Sequence, residues 1–348
     1  AGAAGHDASE CAGAISVDGD LVVDSGSDAS VLVKSVSGNL SIYTSPAGLS
    51  PLRCLETVGG DFDLQLSSGS MGPLARLRSV ERDFVIAGNR SIVDLSGLSS
   101  LTSVGGSLTI NSNPSLVNLG GLEQLSDVFN LQIDNNPSLE NLDALSHLSG
   151  RGGDLELVGN DVLTSIAGLH GFHKATNVSI GKNPLLHDLT GLEGLVTVSA
   201  TIALEGVDFV NLAALNGLKS AYALQLIDLP SLRDLAGLEG LAQLKDLWLS
   251  NLPQFKNLEA LASLTSLHSL SAQDCPALST VEGLRNVVNL ETLDIAFTGL
   301  TTLNGLRNVE TMASVNFVQN PQLSKCEIQD LATRCSAVDT SSDNGPCK

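Results

Sequence analysis

Residues 247–270 read LWLSNLPQFKNLEALASLTSLHSL. Leu247 and Leu249 alternate with Trp248 and Ser250, the period of a strand with one covered face. Leu252, Phe255, Leu258, Leu261, Leu264 and Leu267 then recur at every third position, a tight and turn-rich return, before Leu270 restarts the alternation. One strand and one return cannot bury their own apolar side, so the stretch has to be one unit among stacked neighbours.

The unit recurs along the chain. Its anchors are Leu40, Phe62, Phe84, Leu108, Leu131, Leu155, Val178, Thr201, Leu224, Leu247, Leu270, Leu293 and Val315, spaced by 22 to 24 residues and covering residues 38–335. The repetition accounts for the composition: 61 leucines in 348 residues, 3% aromatics and 16% charged residues. Stacking thirteen units gives a solenoid with a parallel sheet on one side, about 58 Å long at ~4.8 Å per strand. Residues 1–37 then form an N-terminal segment and cap, and residues 336–348 a C-terminal cap tail.

Five residues after the anchor stand Asn89, Asn113, Asn136, Asn160, Asn183 and Asn320, each able to bond backbone groups freed where a strand ends. Cys275 takes the same slot, while Leu229, Leu252, Gly206 and Thr298 depart from it. With this pattern the chain resembles the leucine-rich-repeat superfamily. The Gly-Gly pairs 59–60, 105–106 and 152–153 and the recurrent Asn-Pro-x-Leu resemble the receptor L-domain branch, whose repeats also occur in bacterial and fungal surface proteins. The resemblance implies a mostly β, right-handed repeat solenoid and says little about function, because one fold hosts many activities.

Cys11 and Cys54 fall near one end, and Cys326, Cys335 and Cys347 near the other. Terminal clustering points to disulfide-stapled caps in an oxidising compartment. Cys11 with Cys54 is the preferred first bridge. At the C-terminus the spacing does not decide which two of three pair, and Cys326 with Cys347 is the working choice, which leaves Cys335 unexplained. The opening AGAAGHDASE has no initiating Met, consistent with a removed leader. No apolar run approaches the ~20 residues of a membrane span, so the expectation is a secreted, periplasmic or surface protein, with any lipid or wall anchor outside the sequence.

A formal charge of −20 sets partners. Nucleic acids and anionic membranes need Lys and Arg to meet phosphate, and both are disfavoured. The residues one before, one after and three after each anchor should form the open sheet face; eight of these 39 slots are acidic and none is Lys or Arg. Asp61, Asp63 and Asp83 make one acidic cluster, and Asp134, Asp154 and Glu156 another, suited to a weak cation site or to a basic partner, or simply to a solvated face. Trp248, the only tryptophan, falls on the same face with Ile227, Ile202 and Leu204, rimmed by Gln225 and Asp246. Such an exposed aromatic among aliphatics is an anchor for binding. The register leaves Ile202 and Leu204 either facing solvent or re-aimed by a bulge.

Catalytic patterns are thin. No Gly-x-Ser-x-Gly elbow occurs, no histidine falls on an open-face slot, the cysteines lack zinc spacing, and residues 339–345 read as a polar turn. The sequons at Asn39, Asn89 and Asn177 sit on strand or ladder slots and read as structural. The expectation is a recognition or adhesion module, not an enzyme, without cofactor or metal, binding a protein or glycan through the sheet face. A structural spacer is the alternative, and an acidic-pair polysaccharide-cleaving enzyme the least favoured.

Overall fold

The computed structural model describes residues 8–24, 30–44, 46–66 and 71–347; residues 1–7, which include most of the opening segment, lie outside this set. The chain forms two compact units, Ala1–Gly153 with Gly159–Gly171, and Asp154–Val158 with Phe172–Lys348.

Both are built from the same coil. In the first unit the anchors pair in parallel as Leu21, Leu40, Phe62, Phe84, Leu108 and Leu131. In the second they run Leu155, Val178, Ile202, Leu224, Leu247, Leu270, Leu293 and Val315. Most returns carry a short 3-10 turn, such as Asp143–Leu145 or Glu259–Leu261, and the others close with tight hydrogen-bonded turns. Three residues per turn suit apolar side chains recurring at every third position, which therefore all point to the interior. A short polar side chain two residues ahead bonds a backbone N–H of many of these turns: Asp94 to Ser96, Asn141 to Asp143 and Asn257 to Glu259 at 3.0 to 3.2 Å. Nearly all leucines of strands and returns are at most a few per cent exposed, Leu185 being the clear exception at 44%, and Phe62 and Phe84 stack at 4.5 Å between ring centroids.

The asparagine ladder forms as its chemistry requires. Asn113 Oδ1 accepts from the backbone N–H of Asn89 at 3.0 Å while its Nδ2 donates to Ile86 O at 2.9 Å, and Asn136 and Asn160 repeat the arrangement. In the second unit Asn183 donates to Leu157 O at 2.8 Å, after which Leu229 and Leu252 replace hydrogen bonding by packing and the Cys275 thiol donates to Gln273 O at 3.3 Å. The ladder resumes where Asn320 Oδ1 accepts from Thr298 at 2.6 Å. Burial pushes the Cys275 thiol up to about 11.

Three features differ from the sequence reading. The repeat begins one coil earlier, at Leu21–Val23, inside what reads as a cap. It also ends one coil later: Val338–Asp339 pairs with Ser314–Val315, and Asn344 Oδ1 accepts from the Asn320 N–H at 3.1 Å, so the polar tail is an incomplete coil with a ladder asparagine of its own. The third is the coil at Thr201. Its strand has a register shift between Val198 and Thr201, and the residue paired with Val178 and Leu224 is Ile202. The added residue moves every later side chain to the other face, so Ile202 and Leu204 are buried at 1% exposure and are not part of an exposed patch.

Cys11–Cys54 and Cys326–Cys347 are the disulfides, as expected; Cys275 and Cys335 are free and buried. Cys335 belongs to the α-helix Lys325–Cys335, which is N-capped by Ser324 and ends on Ser336 in the left-handed region. Arg334 of that helix donates to Leu306 O at 3.0 Å and closes the last full coil. Among the described residues no helix is long and apolar enough to cross a membrane.

Candidate functional site

Strand chemistry first decides what the acidic slots do. Immediately before several anchors lies a residue whose N–H is served by a side chain of the preceding coil. Asp20 accepts from Asn39 at 2.7 Å, Asn39 from Asp61 at 2.8 Å, Asp61 from Asp83 at 3.3 Å and Asp83 from Ser107 at 2.8 Å. In the second unit Asp154 accepts from Asn177 at 3.2 Å and Asn177 from Thr201 at 3.1 Å. This is a second ladder, and it explains the Gly-Gly motif. A Cβ on Gly38, Gly60 or Gly106 would overlap the Asp or Asn oxygen of the coil before, so the slot two before the anchor must be glycine there.

Asp61, Asp83 and Asp154 are therefore engaged in holding backbone, and Asp63 and Glu156 stand half-exposed on the next row out. Asp134 is buried at 5%, its carboxylate taking the Gln132 amide at 2.7 Å. Asp246 is likewise buried at 6% and accepts the Ser269 hydroxyl at 2.6 Å, so it does not rim the Trp248 patch as an exposed charge. Among the described residues no group of three or more His, Cys, Asp or Glu has the geometry of a metal site.

Trp248 is half-buried on the outer face, in register with Gln225 on one side and Ser271 on the other. The row continues through Asp294 to Asn316, whose amide donates to Asp294 at 2.9 Å. Ile227 is half-exposed one row further along. Of the six expected patch residues, Trp248, Gln225 and Ile227 share this face, while Ile202 and Leu204 sit in the core beneath and Asp246 turns to its neighbour.

The second unit also presents residues that the strand reading missed. Its strands Ser220–Ile227, Gln243–Ser250, Ser266–Gln273 and Asn289–Ala296 extend four residues upstream of the anchor. Two before the anchor, where the first unit mostly has glycine, they carry Tyr222, Lys245, His268 and Glu291, all exposed. The Lys245 ammonium lies 5.1 Å from the Tyr222 ring centroid, and His268 Nδ1 is 2.9 Å from Glu291. The signal was present in the buried residues three before the anchor, Ala221, Leu244, Leu267 and Leu290, which show the strand starting earlier. Phe297 is a further exposed aromatic, 45% accessible and held at φ 56° just past its strand.

No protein-family model and no curated protein matches the sequence. Solved structures do. An internalin of Listeria monocytogenes superposes with a TM-score of 0.50 at 16% identity, over 86% of this chain and 78% of that one. The fold is a leucine-rich-repeat solenoid. A leucine-rich-repeat protein of Leptospira interrogans is also similar, with a TM-score of 0.34 at 17% identity over 85% of this chain and 92% of its own. Neither likeness reaches beyond the fold to a ligand. The leucine-rich repeat here carries two side-chain ladders and the stripe of Tyr222, Lys245, His268 and Glu291.

Proposed function

We propose that this leucine-rich-repeat protein is a non-catalytic recognition module whose second unit binds a protein partner through the strand face centred on Trp248. The observation that carries the reading is the half-exposed indole in a row of polar side chains, Gln225, Ser271, Asp294 and Asn316, with Ile227 beside it. Aromatic rings in such a setting supply contact area at little entropic cost and dominate interface energies. Asp294 and Glu156 on this row, with Asp154 beside it, favour a partner with a basic surface, which they would steer during encounter. Two disulfides support an oxidising, extracytoplasmic location.

The test uses the single tryptophan. Readily quenched, red-shifted emission that shifts on titration with a basic protein, together with a loss of about 2 kcal/mol of affinity in Trp248→Ala, is the expected result. Emission insensitive to acrylamide, or affinity unchanged in Trp248→Ala, removes this face as the binding surface.

A further inference from the structure

The stripe two residues before the anchor borders a groove that the Trp248 face does not include. Two adjoining depressions of about 520 and 480 Å³ run across the strands, sharing Lys245 and Ser266 in their linings. One wall is Tyr222, Lys245, His268 and Glu291. The other is the row Thr197, Ser220, Gln243, Ser266, Asn289 and Thr311, one neutral hydroxyl or amide from each successive coil. The buried Ala221, Leu244, Leu267 and Leu290 lie between the two rows.

The chemistry departs from that of the molecule around it. In a chain of charge −20 the groove has a single carboxylate, Glu291, and His268 takes it at 2.9 Å. Lys245 rests against Tyr222, and among the described residues no carboxylate lies within ion-pair distance of its ammonium. What the groove offers is one aromatic ring, one cation without a carboxylate partner and a line of hydroxyls and amides spaced by the strands at about 4.8 Å. The repeat of an extended pyranose chain is close to that spacing, so successive sugars meet equivalent donors and acceptors on successive coils. The six rows span about 24 Å.

We propose that this groove binds a linear acidic oligosaccharide, lying across the strands with a uronate carboxylate on Lys245 and a sugar face against Tyr222. The site is separate from the Trp248 face and does not depend on it. A peptide is a poorer fit, because its side chains alternate and its repeat does not match the strand spacing.

The experiment is calorimetric titration of the whole protein with an oligogalacturonate long enough to span the groove, an uncharged oligogalactan of matching length, and a polyglutamate peptide. Binding of the uronate with the galactan much weaker is expected. Lys245→Gln should weaken uronate binding about tenfold and abolish the preference for the acid, Tyr222→Ala should weaken both sugars about tenfold, and Trp248→Ala should change neither. All three side chains are at least partly exposed, and thermal melts of the variants verify that they fold. No heat with either sugar overturns the proposal. So does polyglutamate binding as well as the uronate, or uronate affinity indifferent to both Lys245→Gln and Tyr222→Ala.

Discussion

Asn113 is fully buried and has partners on both sides, accepting from Asn89 and donating to Ile86 O and to Asn136. Replacing it by Ala strands a buried N–H and a buried carbonyl at once, so Asn113→Ala should cost about 3 kcal/mol in a urea melt followed by circular dichroism. Cys275 fills the equivalent slot without an amide, and its thiol titrates at about 11 because burial opposes the thiolate. An unfolded thiol ionises near 9, so the folded state is favoured below that pH and loses the advantage as pH rises through 9 to 11. The stability of the protein should fall by about 2 kcal/mol more over that window than that of Cys275→Ala, as denaturant midpoints at each pH would reveal. Phe297 is a bulky residue at φ 56°, where the left-handed conformation costs about 1 kcal/mol and Asn is better tolerated. Phe297→Asn should raise the unfolding free energy by roughly that amount; a decrease would mean that the exposed ring packs on something that outweighs the strain.

At the scale of the strand, Gly106 and Asp83 are a coupled pair in neighbouring coils. Gly106→Ala drives a methyl into the Asp83 carboxylate that holds the Ser107 N–H, and should cost more than 2 kcal/mol. In the double variant with Asp83→Ala most of the clash is gone, so the two costs should fall short of additive by about 1 kcal/mol in a mutant cycle. This coupling also marks how far the sequence was legible. The anchors, the first ladder and the Cys11–Cys54 staple follow from spacing and residue type, because a leucine core and a buried amide leave few alternatives. The bulge before Ile202 was not legible beyond a choice between two outcomes, since one added residue leaves the apolar count unchanged. Asp61, Asp83 and Asp154 read as surface charge because a carboxylate serving a neighbour's backbone looks the same in sequence as one facing water. Tyr222, Lys245 and His268 are not legible because the alternation of side chains marks the strand only from the residue before its anchor.

For the molecule as a whole, stability is a sum of coils and the joins between them, and its ends are held by covalent bonds. Cys11–Cys54 closes 43 residues and Cys326–Cys347 closes 21. Reduction should cost about 3 kcal/mol per bridge on a chain-entropy basis. Amide exchange after reduction should accelerate first in strands near the two ends, Leu21–Val23 and Ser314–Val318, while Leu247 and Leu249 remain protected; uniform acceleration would mean that each unit unfolds as one block. The spacing of the anchors carries a consequence for descent as well. Leu224, Leu247, Leu270 and Leu293 follow one another at a constant 23 residues, joined by backbone pairing and apolar packing, with no glycine obliged to match its neighbour's aspartate. A gene that loses or duplicates one such segment still encodes matching junctions, whereas the same accident between Asp20 and Ser107 must bring both halves of each Gly–Asp pair with it. The stretch that evolution can lengthen or shorten at least penalty is the one that bears the groove, so the reach of the binding surface is open to change in steps of a single coil.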